Sequence, residues 1–280
     1  HEFLERHYWE VGDMAESIFH ANRLDWERGA RQWQQVFNGV LNKSRYEVCK
    51  SLLGVREELW IKSDYLLGLI SRAEGFYYYL LARYAEAKQE YLEAVAAYDR
   101  ALITNPDDLN TLGSKGFVLL NLGRLQIDIR DFEAAKQSFL DAIATCNLAL
   151  LISPDYTSLF NTKGLVLNFL GDVQASLSEF EAAKQSYSEA IAVLNSALLI
   201  APDENSVLNS KGIALLSLGE LQAKQSDFEA AKQFYSEAIA AYNSALLIVP
   251  DDITPLANKG NALHSLGELQ AQLSEFEAAK

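Results

Sequence analysis

Pro106, Pro154, Pro202 and Pro250 stand 48 residues apart, and each closes a stretch resembling ALLIxPD. The glycines keep the same step, at Gly116, Gly164, Gly212 and Gly260 and again at Gly123, Gly171, Gly219 and Gly267. A fixed period of this length constrains the fold more than any local motif, because it marks one supersecondary unit copied along the chain. A single copy cannot bury its apolar face alone, whereas stacked neighbours bury one continuous core. Core is then added along one axis, so a length of 280 residues need not imply two globular domains.

The copy at 203–250 shows the unit most clearly. Its first half, DENSVLNSKGIALLSLGELQAKQS, carries Leu208, Ile213, Leu215, Leu216, Leu218 and Leu221 as a broad helical stripe. Its second half, DFEAAKQFYSEAIAAYNSALLIVP, places Phe228, Ala231, Tyr235, Ala238, Ile239, Tyr242, Ala245, Leu246 and Val249 at steps of three and four. This pattern predicts two antiparallel amphipathic helices of about 20 residues, each about 30 Å long. Ser226 stands three residues before Glu229, the spacing of a capping box that satisfies free amides at a helix start. Ser178 with Glu181 and Ser274 with Glu277 repeat it, while Arg130 takes the place one copy earlier, so that turn is expected to be less firmly set. Pro-Asp between units ends one helix and favours the next, since acidic side chains complement a helix N-terminus. Gly212 and its equivalents fall well inside the first helix, where glycine costs about 1 kcal/mol relative to alanine. Close approach of a neighbouring helix accounts for such a cost in every copy better than a mobile hinge does.

Charge and cysteine content narrow the function classes. The net charge is −14, and residues 107–280 hold 11 Lys+Arg against 22 Asp+Glu, while residues 1–106 hold 13 against 16. A repeat array this acidic is a poor nucleic-acid binder, because phosphate recognition needs basic density. It suits solubility and a partner with exposed positive charge. No apolar run reaches the roughly 18 residues of a membrane span. Cys49 and Cys146 lie in different apolar helical segments, which points to buried thiols rather than a disulfide or metal ligands, and to a reducing cytoplasm.

LNSKGIALLSLG joined to AIAAYNSALLIVP resembles the tetratricopeptide repeat, a helix-turn-helix unit usually about 34 residues long. Leu208, Gly212, Leu215, Gly219, Ala238, Tyr242, Ala245 and Pro250 fall at the places of that family's pattern. The preceding copy offers Phe160, Gly164, Leu167, Gly171, Ala190, Leu194, Ala197 and Pro202, with leucine where the family prefers an aromatic. Lys115, Lys163, Lys211 and Lys259 depart from the hydrophobic residue usual before the first glycine. The resemblance spans residues 59–280 and implies an all-α, right-handed α-solenoid of antiparallel helix hairpins. The roughly 14 extra residues per copy fit two added turns on each helix, since seven residues nearly complete two turns and keep the apolar faces aligned. A flexible loop would satisfy the length equally, but ELQAKQSDFEAAKQ is rich in helix formers.

The expected organisation is a divergent helical cap or junction at 1–58, then copies at 59–106, 107–154, 155–202 and 203–250 and a partial copy at 251–280. Residues 59–106 are the most diverged, with Leu67 in the lysine place and Gly68, Gly75 and Pro106 holding the frame. Tyr77, Tyr78 and Tyr79 cannot share one helical face, so some are expected to pack into the preceding segment. Residues 2–23 are expected to form one helix or a pair broken at Gly12, with another starting near Asp25. Trp9, Trp26, Trp33 and Trp60 all lie in this first part, as the packing of a divergent end or, alternatively, as an aromatic cage. SEFEAAK falls where a further second helix should begin, and fraying is expected over 273–280.

No phosphate loop, zinc spacing or Ser-His-Asp arrangement occurs, so no catalytic, cofactor-binding or metal residue is nominated and no cofactor is expected. By the same resemblance, the face of the first helices is the candidate groove for a protein or peptide. It comprises Phe117, Leu120 and Asn121, then Asn161, Leu165 and Asn168, then Asn209, Ile213 and Leu216, then Asn261 and His264. Asparagine can pair with a peptide backbone through both donor and acceptor groups. Leu165 and Ile213 depart from the polar set with which some members grip a C-terminal carboxylate, so a partner with apolar side chains, exposed backbone or basic surface is expected. Two versions of this non-catalytic reading are a scaffold and a sensor arm, the latter because HYWEVGDMAESIFHANRLDWERGARQW looks like the helical segment preceding repeat arrays in multidomain signalling ATPases. End-to-end self-assembly of near-identical units is the competing class, and an enzyme is the least favoured.

Overall fold

The computed structural model describes the backbone of residues 1–278 and the side chains of residues 1–274. The described residues form thirteen α-helices and no strand. They divide into two compact units, 1–125 and 126–280.

The first unit holds α1 (Glu2–Glu10), α2 (Met14–Leu24), α3 (Trp26–Leu41), α4 (Tyr46–Arg56), α5 (Asp64–Leu80), α6 (Tyr84–Thr104) and most of α7 (Leu109–Asp128). The break at Gly12 is real: its φ of +84° lies in the left-handed region that glycine tolerates, and it separates α1 from α2. Asp25 caps α3, its carboxylate accepting from the amides of Glu27 at 3.0 Å and Arg28 at 3.2 Å. Trp33 and Phe37 stack at 4.5 Å in the centre of the core with Ile18, Leu52 and Ile70. The Trp33 indole donates to the Leu52 carbonyl at 2.8 Å, which gives its one polar atom a partner. The four tryptophans do not converge: Trp33 is buried, Trp26 half-buried, and Trp9 and Trp60 about half exposed, with the Arg23 guanidinium over the Trp60 ring. Buried Asn22 ties the loop before α5, donating to the carbonyls of Trp26 and Trp60 and accepting from the Trp60 amide at 2.8 Å. Tyr77 packs edge-on to Phe37 in the preceding segment, while Tyr78 and Tyr79 border the cluster of Tyr91 and Tyr98.

The second unit holds the end of α7, then α8 (Phe132–Ile152), α9 (Thr157–Ser176), α10 (Phe180–Ile200), α11 (Asn205–Lys224), α12 (Phe228–Ile248) and α13 (Ile253–Ala278). Helices α8, α10 and α12 begin 48 residues apart and each has 21 residues, and α9 and α11 have 20 each. The extra length is therefore helix rather than loop, and the turn between α9 and α10 is only Leu177 to Glu179. Helix α9 packs on α10 and α11 on α12, while α11 also touches α9 and α13, so the first helices form a row. The repeated glycines lie where large side chains of the second helices press in. A Cβ on Gly212 would run into the Tyr242 ring, one on Gly219 would lie 2.7 Å from Tyr235, and one on Gly164 would lie 2.6 Å from Leu194.

The helix breaks differ from the capping-box expectation. Ser178 and Ser226 are not helix-start caps but left-handed helix-stop residues, both with φ +65°, and Ala82 and Arg130 take the same conformation at φ +56° and +60°. In each turn the next amide reaches back five residues, as from Asp227 to Gln222 and Glu179 to Gln174, and the left-handed residue's own amide reaches back three. These two bonds are a Schellman motif, which closes a helix through backbone alone. The Arg130 turn carries the same bonds, Asp131 to Gln126 and Arg130 to Ile127, so its side chain leaves the turn geometry unchanged. Helix α12 is capped one residue later than expected, by Asp227, which accepts from the Ala230 amide. At Ser274 there is no break: α13 continues to Ala278, and the Ser274 hydroxyl donates to the Ala271 carbonyl at 2.8 Å. The fraying expected over 273–280 meets a backbone that is helical through Ala278, and its last two residues lie outside the described ones.

Candidate interaction face

The row of α9, α11 and α13 carries most of the candidate groove residues in the second unit. Asn161, Leu165, Asn209, Ile213 and Leu216 are half-buried, and Asn261 and His264 are exposed. Asn168 is buried, so it supports this face from beneath rather than offering its side chain to it. In the first unit Phe117 is exposed beneath the Arg72 guanidinium, 5.5 Å from its ring centroid; Asn121 is half-buried and Leu120 is buried.

Asparagines link successive first helices along the row. Asn161 donates to the Ser206 hydroxyl at 3.5 Å, Asn258 to the Asn209 side-chain oxygen at 3.0 Å, and Asn205 to the Asp252 carboxylate at 2.8 Å. The side-chain oxygens of Asn161 and Asn168 have no hydrogen-bond partner although they are shielded from solvent. An unpaired buried acceptor costs about 1–3 kcal/mol. Ile213 and Leu216 border the cluster of Leu215, Ala238 and Tyr242, so the apolar strip beside the asparagines is continuous with the core. His264 stands 3.4 Å from Glu268 on the same helix and is open to solvent. Asn205, Asn258 and Ser206 belong to this polar row but escape sequence reading, because no fixed period links them to Asn161 and Asn209.

Two of the four repeated lysines, odd for the family pattern, form ion pairs. Lys115 lies 2.5 Å from Asp99 on α6, and Lys163 lies 3.5 Å from Glu189 on α10. Each of these two ammonium groups meets a second-helix acid, so the pair ties helices together rather than standing free in a groove.

Crevices near the ends of the helices hold buried acids. One of about 250 Å³ is lined by Asp172, Tyr187, Ser217, Glu220 and Lys224, among others. Burial pushes the Asp172 carboxyl up to about 6, although the Tyr187 hydroxyl donates to it at 2.8 Å and opposes the rise. In the first unit burial raises the Glu74 carboxyl to about 8, with the Arg56 guanidinium 3.2 Å away pulling it down and Glu90 sharing a hydrogen bond with it. Cys49 and Cys146 are buried free thiols, and burial lifts Cys146 to about 12. Among the described residues no group of three or more His, Cys, Asp or Glu is placed to hold a metal ion, and no helix is long and apolar enough to cross a membrane.

A tetratricopeptide repeat family profile matches residues 118–147. A search of curated protein sequences returns no match. Among solved structures, BtubC (BKLC) from P. vanneervenii aligns over 86% of this chain and 91% of its own at 18% identity, with a TM-score of 0.64. Pseudomonas aeruginosa pilF aligns over 91% and 99% at 18% identity, with a TM-score of 0.52. The signal transduction ATPase with numerous domains from Pyrococcus horikoshii, which carries a tetratricopeptide repeat sensor, aligns over 98% of this chain at 14% identity with a TM-score of 0.56, and this chain covers 45% of its length. At these identities the likeness concerns fold, and with the helix bounds above it makes the chain an all-α, tetratricopeptide-like solenoid of helix hairpins with lengthened helices.

Proposed function

We propose that the chain is a non-catalytic protein- or peptide-interaction module, with a helical junction at 1–58 leading into a repeat array at 59–280, and that it serves as a scaffold or sensor region of a larger cytoplasmic protein. The observation that carries this reading is the row of first helices in the second unit, where half-buried Asn161 and Asn209 alternate with Leu165, Ile213 and Leu216. Half-buried Asn161 and Asn209 carry amide groups of the kind that pair with a peptide backbone, and the adjoining aliphatics suit the peptide's apolar side chains. The excess of acids over bases in residues 107–280 favours a partner with basic character. Buried free thiols suit a reducing compartment.

The sensor version draws support from the Pyrococcus horikoshii ATPase, whose own tetratricopeptide repeats are named a sensor. A phosphate-binding loop encoded upstream of His1 would favour it, and a different upstream domain would remove it. For the binding face itself, peptides selected from a display library against the folded chain are titrated calorimetrically. Asn161→Ala, Asn209→Ala and Ile213→Ala should each weaken the selected peptides by about tenfold, roughly the loss of one good contact. Unchanged affinity in all three variants, with unchanged helicity, rejects the face. Light scattering over a concentration series separates this module from an end-to-end assembly, which would grow with concentration.

A further inference from the structure

Leu151, Leu199 and Leu247 are 48-residue equivalents in the second unit, and they are 80%, 86% and 84% exposed. Ile152, Ile200 and Ile248 follow them and are about two-fifths exposed. All six sit in the last turn of α8, α10 and α12, at the opposite end of these helices from the Schellman turns. A single exposed leucine is ordinary. Three aliphatic pairs at one place of successive hairpins are a patterned surface, the kind that marks an interaction site. Folding does not demand them: the side chains are largely in water, and lysine or glutamine has about the same helix propensity as leucine. Other exposed places of the same helices do carry such residues, as at Lys184, Gln185, Lys232 and Gln233.

The rim of this row has one sign of charge. Residues 147–160, 195–208 and 243–256 contain Asp155, Asp203, Glu204, Asp251 and Asp252 and not one Lys or Arg. Asp252 is engaged with Asn205 and the Thr254 amide, while the other four acids are exposed. A second copy of this chain docking through the same row would set acid against acid, and an anionic membrane would meet the same repulsion.

We propose that the end of the second helices in this unit is a docking edge for an amphipathic helix of a partner protein, with leucine-type anchors flanked by Lys or Arg. The aliphatic pairs take the anchors, and the exposed aspartates and Glu204 meet the flanking cations. The aliphatic anchors of this edge sit on second helices and its acids in the connections that follow them, whereas Asn161, Asn209 and Ile213 lie within first helices, so either surface can fail without the other.

The test uses the whole chain and two synthetic helical peptides of about five turns with one leucine face at i, i+3, i+4 and i+7. One peptide has lysine flanks and the other glutamate flanks, and binding is read by fluorescence anisotropy. The lysine peptide should bind, more weakly as salt rises, and the glutamate peptide should not. Leu199→Ser should weaken binding about tenfold, and the triple change Leu151→Ser, Leu199→Ser, Leu247→Ser should abolish it. Asn161→Ala should leave it unaltered. These leucines are solvent-exposed, so unchanged helicity and melting of the serine variants are expected and are checked by circular dichroism. The proposal is overturned if the lysine peptide fails to bind, if the triple variant binds it equally, or if the glutamate peptide binds as well. A concentration-dependent dimer that Leu199→Ser dissolves overturns it too, by giving the row to a second copy.

Discussion

Replacing Gly212 with alanine would place a methyl group against three atoms of the Tyr242 ring, none farther than 2.7 Å, in a site where Tyr242 is fully buried. The ring is held between α11 and α12 beside Leu215 and Ala238, so it cannot swing into solvent to make room. Overpacking of this kind costs about 1–3 kcal/mol, and three ring atoms in violation put it near the upper end. Alanine recovers about 1 kcal/mol of helix propensity over glycine. The net expectation is a loss of about 2 kcal/mol. Gly260 is the same position one copy later, on α13, and a Cβ there meets nothing within 4 Å. Gly260→Ala should therefore stabilise by up to about 1 kcal/mol, the opposite sign at an equivalent place. Urea unfolding followed by circular dichroism measures both. If Gly212→Ala is neutral or stabilising, the close approach to Tyr242 is not what holds glycine there. Combining Gly212→Ala with Tyr242→Ala sharpens the comparison: two residues in contact should show a coupling of about 1 kcal/mol or more, and simple additivity refutes the steric account.

The left-handed turn residues give a second test: Ser226→Gly and Arg130→Gly should each stabilise by about 1 kcal/mol, because glycine removes the Cβ strain of that conformation. A loss of stability in Ser226→Gly, read as a lower urea midpoint, would instead restore the serine as a helix cap. Glu74 supplies a pH dependence with a defined sign. Its folded carboxyl is raised from 4.5 to about 8, so between those values the folded chain keeps a proton the unfolded chain has lost. Stability should then fall as pH rises through that window, by at most about 1.4 kcal/mol per pH unit, with Glu90 and Arg56 modulating the slope. Glu74→Gln should flatten the curve between pH 5 and 8, and a slope equal to that of the unaltered chain sinks the assignment. Cys146, fully buried and raised to about 12, should resist a thiol-specific reagent until the protein is unfolded, whereas prompt modification in native buffer would show that the second unit opens locally.

Much of the architecture was legible in the chain because it is periodic. The apolar places at Leu208, Leu215, Leu218, Tyr235 and Tyr242 repeat at helical spacing, and burial of one face follows from that spacing wherever a partner helix exists. The helix formers of the added stretch ELQAKQSDFEAAKQ likewise foretold longer helices. The break between helices departs from its sequence pattern, since Ser226 and Glu229 have the spacing of a side-chain cap while the backbone closes the turn by itself. A Schellman bond pair depends on φ at one residue, and at Ala82, Arg130, Ser178 and Ser226 the residue type gives little sign of it. Placement of the candidate face divides in the same way. That Asn161, Asn209 and Ile213 lie on first helices follows from the period, but that Leu120 and Asn168 are buried does not. Exposure at a given helical angle depends on which neighbour packs there. Leu247 already lies off the stripe read through Tyr242, Ala245 and Val249, but that it and its equivalents Leu151 and Leu199 stay in water depends on whether a neighbouring helix packs there. Periodicity determines that a residue lies on a helix and repeats; only the arrangement of neighbouring helices decides whether its side chain is covered.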